Sequence, residues 1–169
     1  MIIICILIFS SYLIGENISK YYINRHKQIN ELIRVLEIIR MELSFGVYTL
    51  GEIFSKLSSK VDFVTSKFFA KVSETLINEP YKTLDEVIKE STYILKEETN
   101  LNYKDIYELR ELITTLGKSD VSSQSRLIDL SIENYKKITI DTKEDIEKKG
   151  NVYKKLSTIT GVILGIILI

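Results

Sequence analysis

The chain has 169 residues, enough for one modest domain with extensions, and its 23 basic side chains balance 23 acidic ones. Nucleic-acid-binding domains normally carry a basic excess on one face, so the alternating charges in the middle of this chain argue against that class. One proline, seven glycines and no tryptophan, with abundant Leu, Ile, Lys and Glu, favour long helices over strands. The expected fold class is therefore all-α.

The apolar N-terminus, residues 1–19, is predicted to be a retained membrane helix. Its uncharged part, residues 1–15, would cover only about 22 Å as a helix, so residues 17–19 are needed to approach the roughly 30 Å hydrocarbon core. A secretory signal peptide fits less well, because no basic residue precedes the apolar run and no cleavage site clearly ends it. Cys5 comes too early for a lipoprotein signal. Glu16 is expected at the headgroup level, and the alternative is a functional pairing within the membrane.

From Lys20 the apolar residues follow alternating spacings of three and four, which predicts that the first helix continues to about Ser44 and is broken by Gly46. The buried seam is then Ile29, Leu32, Leu36, Ile39 and Leu43. Polar residues with capping chemistry precede the next apolar stripes and predict where four further helices begin. They are Thr49 with Glu52, Asp62, Thr83 with Glu86, and Asn102.

The connections between these helices are short, which predicts a bundle of about five to six helices whose consecutive members are neighbours. The last helix is expected to start at Asp120 and to continue for about 50 residues, or roughly 75 Å, with Gly150 as its weak point. Its charged section, residues 139–149, is predicted to bridge the bundle and the membrane through solvent. The lone His26 is expected to be exposed and solvated.

The apolar C-terminus, residues 151–169, is predicted to be a second membrane helix, in preference to a buried tail of the bundle. Basic residues lie on the inner side of both apolar ends, so the middle domain, residues 20–150, is expected to face the cytoplasm. Both ends also have small residues four apart, which would let membrane helices approach closely. They are Ser11, Gly15 and Ser19 in the first end, and Ser157, Gly161 and Gly165 in the second.

The segment 116–124 is predicted to form a tight corner between two helices. Gly117 suits the left-handed residue that follows a helix end, and Ser119 or Asp120 suits the cap of the next helix. Asp120 and Gln124 are expected to lie one helical turn apart on an exposed surface, where a carboxylate and an amide could contact a partner. The candidate corner motif is Leu116, Gly117, Ser119, Asp120 and Gln124.

The sequence lacks the usual signatures of an enzyme. It has no phosphate-binding glycine loop, no metal-ligand spacing and no nucleophile with a plausible histidine base, so no catalytic, metal or cofactor-binding residue is assigned. A protein that acts by binding is expected, without nucleic acid or a small-molecule substrate. The alternatives are a generic inner-membrane scaffold and a non-catalytic subunit of a membrane-tethered enzyme.

The corner pattern L-G-x-S-D-x-x-x-Q resembles the signature of the stage III sporulation protein AB family. The layout around Glu42 and Tyr48, and around Tyr153 and Leu156, agrees over nearly the full length. The resemblance implies a non-enzymatic membrane component, on the mother-cell side, of the channel-like complex that links mother cell and forespore. It implies helical domains similar to those of type II secretion platform proteins. The implied partners are the sporulation ATPase, stage III sporulation protein AA, and other membrane components of the complex.

Overall fold

The computed structural model describes residues 2–46, 48–116, 118 and 120–167, with side chains described from Ile6 onward. Within these ranges the secondary structure is helical and no strand is present, so the all-α prediction is confirmed. The elements are α1 Ile2–Phe45, α2 Leu50–Ser58, α3 Ser66–Asn78, α4 Leu84–Glu98, α5 Tyr103–Thr115, α6 Val121–Asp145, a π-helical turn Ile146–Gly150, and α7 Asn151–Ile167.

The chain divides into two compact units. Unit 1 comprises Met1–Lys27 with Thr139–Ile169, and unit 2 is Gln28–Ile138. These bounds differ from those of the predicted segments 1–19, 20–150 and 151–169. Among the described residues, no helix combines the length and the apolar character needed to cross a membrane.

Unit 2 contains the hydrophobic core, and the seam predicted for the first helix lies within it. Ile29, Leu32, Leu36 and Ile39 are fully buried, because their spacing of three and four keeps them on one face of α1. Around this face, α2 packs on α3, α3 on α4 and α4 on α5, as the short connections predict. In the α2–α3 contact the stacked rings of Phe54 and Phe69 have centroids 5.6 Å apart.

Of the four caps predicted for the helices before the corner, three are confirmed. Thr49 and Thr83 each form a complete capping box with the glutamate three residues later. Asn102 forms the equivalent box with Asp105 at the start of α5. In each box the two side chains satisfy amide groups that the first helical turn leaves without a backbone partner.

The predicted cap at Asp62 is wrong, because α3 begins later, at Ser66. The carboxylate of Glu31 on α1 accepts hydrogen bonds from the backbone N–H groups of Val64 and Thr65, both at 3.0 Å, and from the Thr65 hydroxyl at 2.8 Å. A side chain of another helix thus stabilises the start of α3.

In unit 1 the charged section of the last helix packs along α1, so the expected solvent bridge is wrong. Thr142 is only 1% exposed, and its hydroxyl lies 2.9 Å from Nδ1 of His26. His26 is accordingly half-buried and hydrogen-bonded, contrary to the predicted solvated histidine. Arg25 lies 3.9 Å from the Asp145 carboxylate and adds an ion pair between the same helices.

The π-helical turn lies where Gly150 was predicted to weaken the last helix. Thr142 and Gly150 are both buried and therefore lie on the same side of the helix. Their separation of eight positions is about a fifth of a turn more than two α-helical turns, so a regular α-helix would rotate Gly150 away from that side. A π turn contains more residues per turn than an α turn and therefore absorbs this excess. The helical path continues through Gly150 into α7 with the same face inward.

Candidate functional site

The candidate site is the corner between α5 and α6. Helix α5 ends at Thr115, and Leu116 follows as its C-terminal cap, with an extended backbone and an N–H that donates to the carbonyls of Leu112 and Ile113 at 3.1 and 3.2 Å. The Leu116 side chain is 1% exposed, so it anchors this end of the corner in the core of unit 2. Gly117 and Ser119, the next two residues of the motif, lie outside the described residues.

Asp120 is the N-terminal cap of α6. Its carboxylate accepts a hydrogen bond from the backbone N–H of Ser123 at 3.0 Å and from the Ser123 hydroxyl at 2.7 Å, and the Ser122 hydroxyl also donates to it. These bonds, led by the one from Ser122, lower the pKa of Asp120 well below the usual range of an aspartate. The exposed Asp120 is therefore a charged cap at neutral pH.

Gln124 does not present its amide to solvent as predicted. Its side chain is 6% exposed, although its backbone N–H makes the expected first-turn bond to the Asp120 carbonyl at 3.0 Å. The first turn of α6 faces the core of unit 2 on the side that carries Gln124. Of the two predicted contact residues, only Asp120 lies on the surface.

Beside the corner, α5 and α6 form an open groove of about 420 Å³. Apolar side chains line it, among them Leu112, Leu127 and Leu130, and Leu130 is 59% exposed. Two carboxylates, Glu108 and Glu111, lie along the α5 side.

Polar contacts hold the two helices beside this groove. Asn134 donates to the Glu108 carboxylate at 2.7 Å. The hydroxyl of Tyr135, which is 1% exposed, donates to the Asp105 carbonyl at 2.9 Å, and burial raises the pKa of Tyr135. The groove is therefore a fixed feature of the α5–α6 pair.

Aromatic side chains extend this surface along α5. Tyr103 and Tyr107 stack with ring centroids 6.2 Å apart, and the guanidinium of Arg110 lies 5.0 Å from the Tyr107 centroid. Tyr103 is 72% and Tyr107 43% exposed, so both rings are open to solvent. Their spacing of four and then three residues places all three side chains on one face of α5, which is the signal that could have identified them.

A second feature lies in unit 1, where the small residues of the two chain ends meet. A Cβ atom on Gly15 would lie 2.9 Å from Cβ of Ser157, and one on Gly161 would lie 2.7 Å from Cβ of Ser11. Such distances leave no room for a larger side chain at either glycine. The Ser157 hydroxyl also donates to the Ser11 carbonyl at 2.5 Å. Ser19 and Gly165, the other two residues of the predicted set, are buried.

Glu16 lies near this seam and is paired across it. Its carboxylate is 2.5 Å from the ammonium group of Lys154 and 3.8 Å from that of Lys20. The two helices are therefore joined by opposite charges as well as by close backbone approach.

Metal-binding chemistry finds no support in the part of the chain that the structure describes, where no cluster of three or more His, Cys, Asp or Glu side chains could hold an ion. Fold and site define the class as an all-helical bundle protein whose main surface features are a capped corner, an apolar groove and an aromatic face.

The model of the stage III sporulation protein AB family matches residues 1–169, the whole chain, and the chain belongs to this family. The family places the protein in sporulation, and it is a family of complex components rather than a known enzyme family. No curated protein and no solved structure matches the chain.

Proposed function

We propose that the protein is a membrane-attached platform of the channel complex between mother cell and forespore, and that it binds a cytoplasmic secretion-type ATPase. The observation that carries the proposal is the apolar outer surface of unit 1. Many large apolar side chains are exposed there, far beyond the scattered few of a soluble surface. They include Ile6, Phe9, Leu13, Ile14, Leu156, Ile159, Ile163, Ile166 and Ile167.

A lipid environment accounts for this surface without a further protein. The seam of Ser11, Gly15, Ser157 and Gly161 lets the helices pack closely, which is how membrane helices associate when hydrophobic burial gives no driving force between them. In this proposal residues 1–19 and 151–169 attach the protein to the mother-cell membrane. The lysines next to the apolar ends favour a cytoplasmic position for residues 20–150.

The α5–α6 face is the proposed ATPase contact. Tyrosine and arginine are enriched at interface positions that contribute most to affinity, and this face has Tyr103, Tyr107 and Arg110 beside an apolar groove. Asp120 adds an exposed charge at the corner. The proposed partner is the ATPase of the same system, stage III sporulation protein AA, and the proposed likeness is to the helical domains of type II secretion platform proteins.

The test is the affinity of the detergent-solubilised full chain for that ATPase. Replacing Tyr107 by alanine removes the ring on which Arg110 rests, and we expect the Kd to rise about tenfold or more. Tyr93→Ala on α4 is the matched control, because Tyr93 is 51% exposed and lies outside the groove. An equal effect of the two substitutions would reject the α5–α6 face as the contact.

Two further observations separate this proposal from its alternatives. Deletion of the gene should stop sporulation at the engulfment stage, whereas a generic scaffold would leave spore formation intact. Hydrolase or transferase activity in a complex purified with the chain would favour the enzyme-subunit alternative.

A further inference from the structure

An open pocket of about 520 Å³ lies on α7 at the border between its lysines and its apolar part. Asn151, Lys154, Lys155, Thr158 and Ile159 line it. These positions follow spacings of three and four, so they share one face of the helix. The pocket thus combines cationic and hydrogen-bonding groups with an apolar side chain.

The two lysines of this pocket have different surroundings. Lys154 is neutralised, because its ammonium group lies 2.5 Å from the Glu16 carboxylate. Lys155 is exposed and has no carboxylate within ion-pair distance in the described part of the chain, and residues 151–169 contain no acidic side chain. One positive charge therefore remains without a counter-ion at this level of the helix.

Hydrogen-bond donors accompany that charge. The Asn151 amide is exposed and has no partner among the described residues, so its two N–H bonds are available. The Thr158 hydroxyl donates to the Lys154 carbonyl at 2.9 Å and can rotate toward a stronger acceptor. An ammonium, an amide and a hydroxyl on one helix face suit the oxygens of a phosphoryl group.

We propose that this pocket binds the phosphate headgroup of an anionic phospholipid, an inference that rests on the membrane attachment proposed above. The apolar surface below Lys155 decides between a lipid and a free phosphate. Leu156, Ile159 and Ile163 are 52%, 55% and 51% exposed, so acyl chains can lie along α7 while the headgroup reaches Lys155. A free phosphate would gain nothing from these side chains.

The test uses the full chain with Val152→Trp as a fluorescent reporter beside the pocket. The natural sequence has no tryptophan, and Val152 is 45% exposed, so the new indole reports on one place only. The chain is reconstituted in phosphatidylcholine bilayers that contain either brominated phosphatidylglycerol or brominated phosphatidylcholine. The ratio of the two quenching curves gives the preference for the anionic lipid.

We expect phosphatidylglycerol to be preferred and Lys155→Gln to reduce the preference about fivefold, the usual effect of one lysine near an anionic membrane surface. Lys155→Arg should retain the preference for phosphatidylglycerol, since the positive charge is kept. The control, Lys137→Gln on α6, removes the same charge outside unit 1 and should leave the preference unchanged.

Each other outcome rejects the inference. Equal quenching by the two lipids, or equal effects of Lys155→Gln and Lys137→Gln, would reject the headgroup site while leaving membrane attachment intact. Relief of quenching by soluble glycerol phosphate would identify a free phosphate as the ligand. Loss of ATPase binding in Lys155→Gln with unchanged lipid preference would assign the lysine to a protein contact. Failure of the chain to float with phosphatidylcholine vesicles would reject membrane attachment itself, and the headgroup site with it.

Discussion

Asp120 has more hydrogen bonds to its side chain than a helix cap requires. Its carboxylate accepts from the Ser123 amide and from the hydroxyls of Ser122 and Ser123. We expect Asp120→Ala to lower the thermal midpoint by a few degrees, because the first turn of α6 loses its acceptor. Asp120→Asn keeps a hydrogen-bond acceptor and should lower the thermal midpoint distinctly less. Scanning calorimetry of both variants at neutral pH measures the difference.

Asp120 also makes the stability of the folded protein depend on pH. The folded-state pKa of Asp120 is depressed below the unfolded value of about 3.9, so the stability it contributes is complete above that value and is lost as the pH falls further. The difference in thermal midpoint between the wild type and Asp120→Asn should therefore become smaller as the pH falls below about 4. A difference that stays constant down to pH values where the protein unfolds would contradict the charged cap. Normal ATPase binding by Asp120→Asn would limit the residue to its structural role.

Glu31 provides a second prediction for a single residue. It accepts bonds from two backbone N–H groups and one hydroxyl at the start of α3, and its removal leaves these donors without their acceptor. We expect Glu31→Ala to reduce the free energy of unfolding by about 2 kcal/mol, as is typical for hydrogen bonds to a charged group. Glu37→Ala is the control, because Glu37 is an exposed carboxylate on the same helix. Equal denaturant midpoints for the two variants would show that Glu31 does not stabilise α3.

At the scale of the helices, prediction from sequence succeeds where the determining contact is local. The capping boxes at Thr49 and Thr83 join residues three apart, so the sequence pattern contains both partners. The start of α3 was missed because its acceptor, Glu31, lies more than thirty residues earlier and reaches it only after α1 has packed. Gln124 was misplaced for a related reason. A polar residue in a first turn is usually exposed, and only the packing of α6 buries this one.

The break between α1 and α2 can be tested through two glycines. Gly46 has φ of +65°, a left-handed conformation in which a Cβ atom is strained, so Gly46→Ala should destabilise unit 2 by about 1–2 kcal/mol. Gly51 lies inside α2, and nothing lies within 4 Å of a Cβ added there. Gly51→Ala should therefore stabilise the protein by about 0.5 kcal/mol. Urea unfolding of both variants measures the two effects, and effects of the same sign would contradict this account of the turn.

At the scale of the whole molecule, the two units depend on different kinds of packing. Every residue of the described hydrophobic core, from Ile29 to Tyr135, belongs to unit 2. Unit 1 is held by the close approach of small residues, by the pair Glu16–Lys154 and by the polar contact of His26 with Thr142. The sequence predicted the apolar seam of unit 2 and the spacing of small residues in unit 1, but not the pairing of Glu16 with Lys154 or of His26 with Thr142. The layout of polar and apolar residues predicted segment boundaries at residues 19 and 150. The compact units instead divide at Lys27 and Thr139, because the charged stretch after Thr139 packs on α1 and belongs to unit 1.

This difference leads to a prediction about fragments. A fragment of residues 28–138 should be soluble and helical and should unfold cooperatively, since it contains the whole described core. A longer fragment, residues 20–149, adds only parts of unit 1 and should have nearly the same urea midpoint. The added segments contribute polar contacts such as Arg25 with Asp145, and partly exposed pairs of this kind add little stability. Far-ultraviolet circular dichroism during urea unfolding compares the two fragments.

A cooperative transition in the longer fragment and none in the shorter one would show that the polar section of unit 1 is needed to close the core. The units would then be one folding domain, and the apolar ends alone would be separable from it.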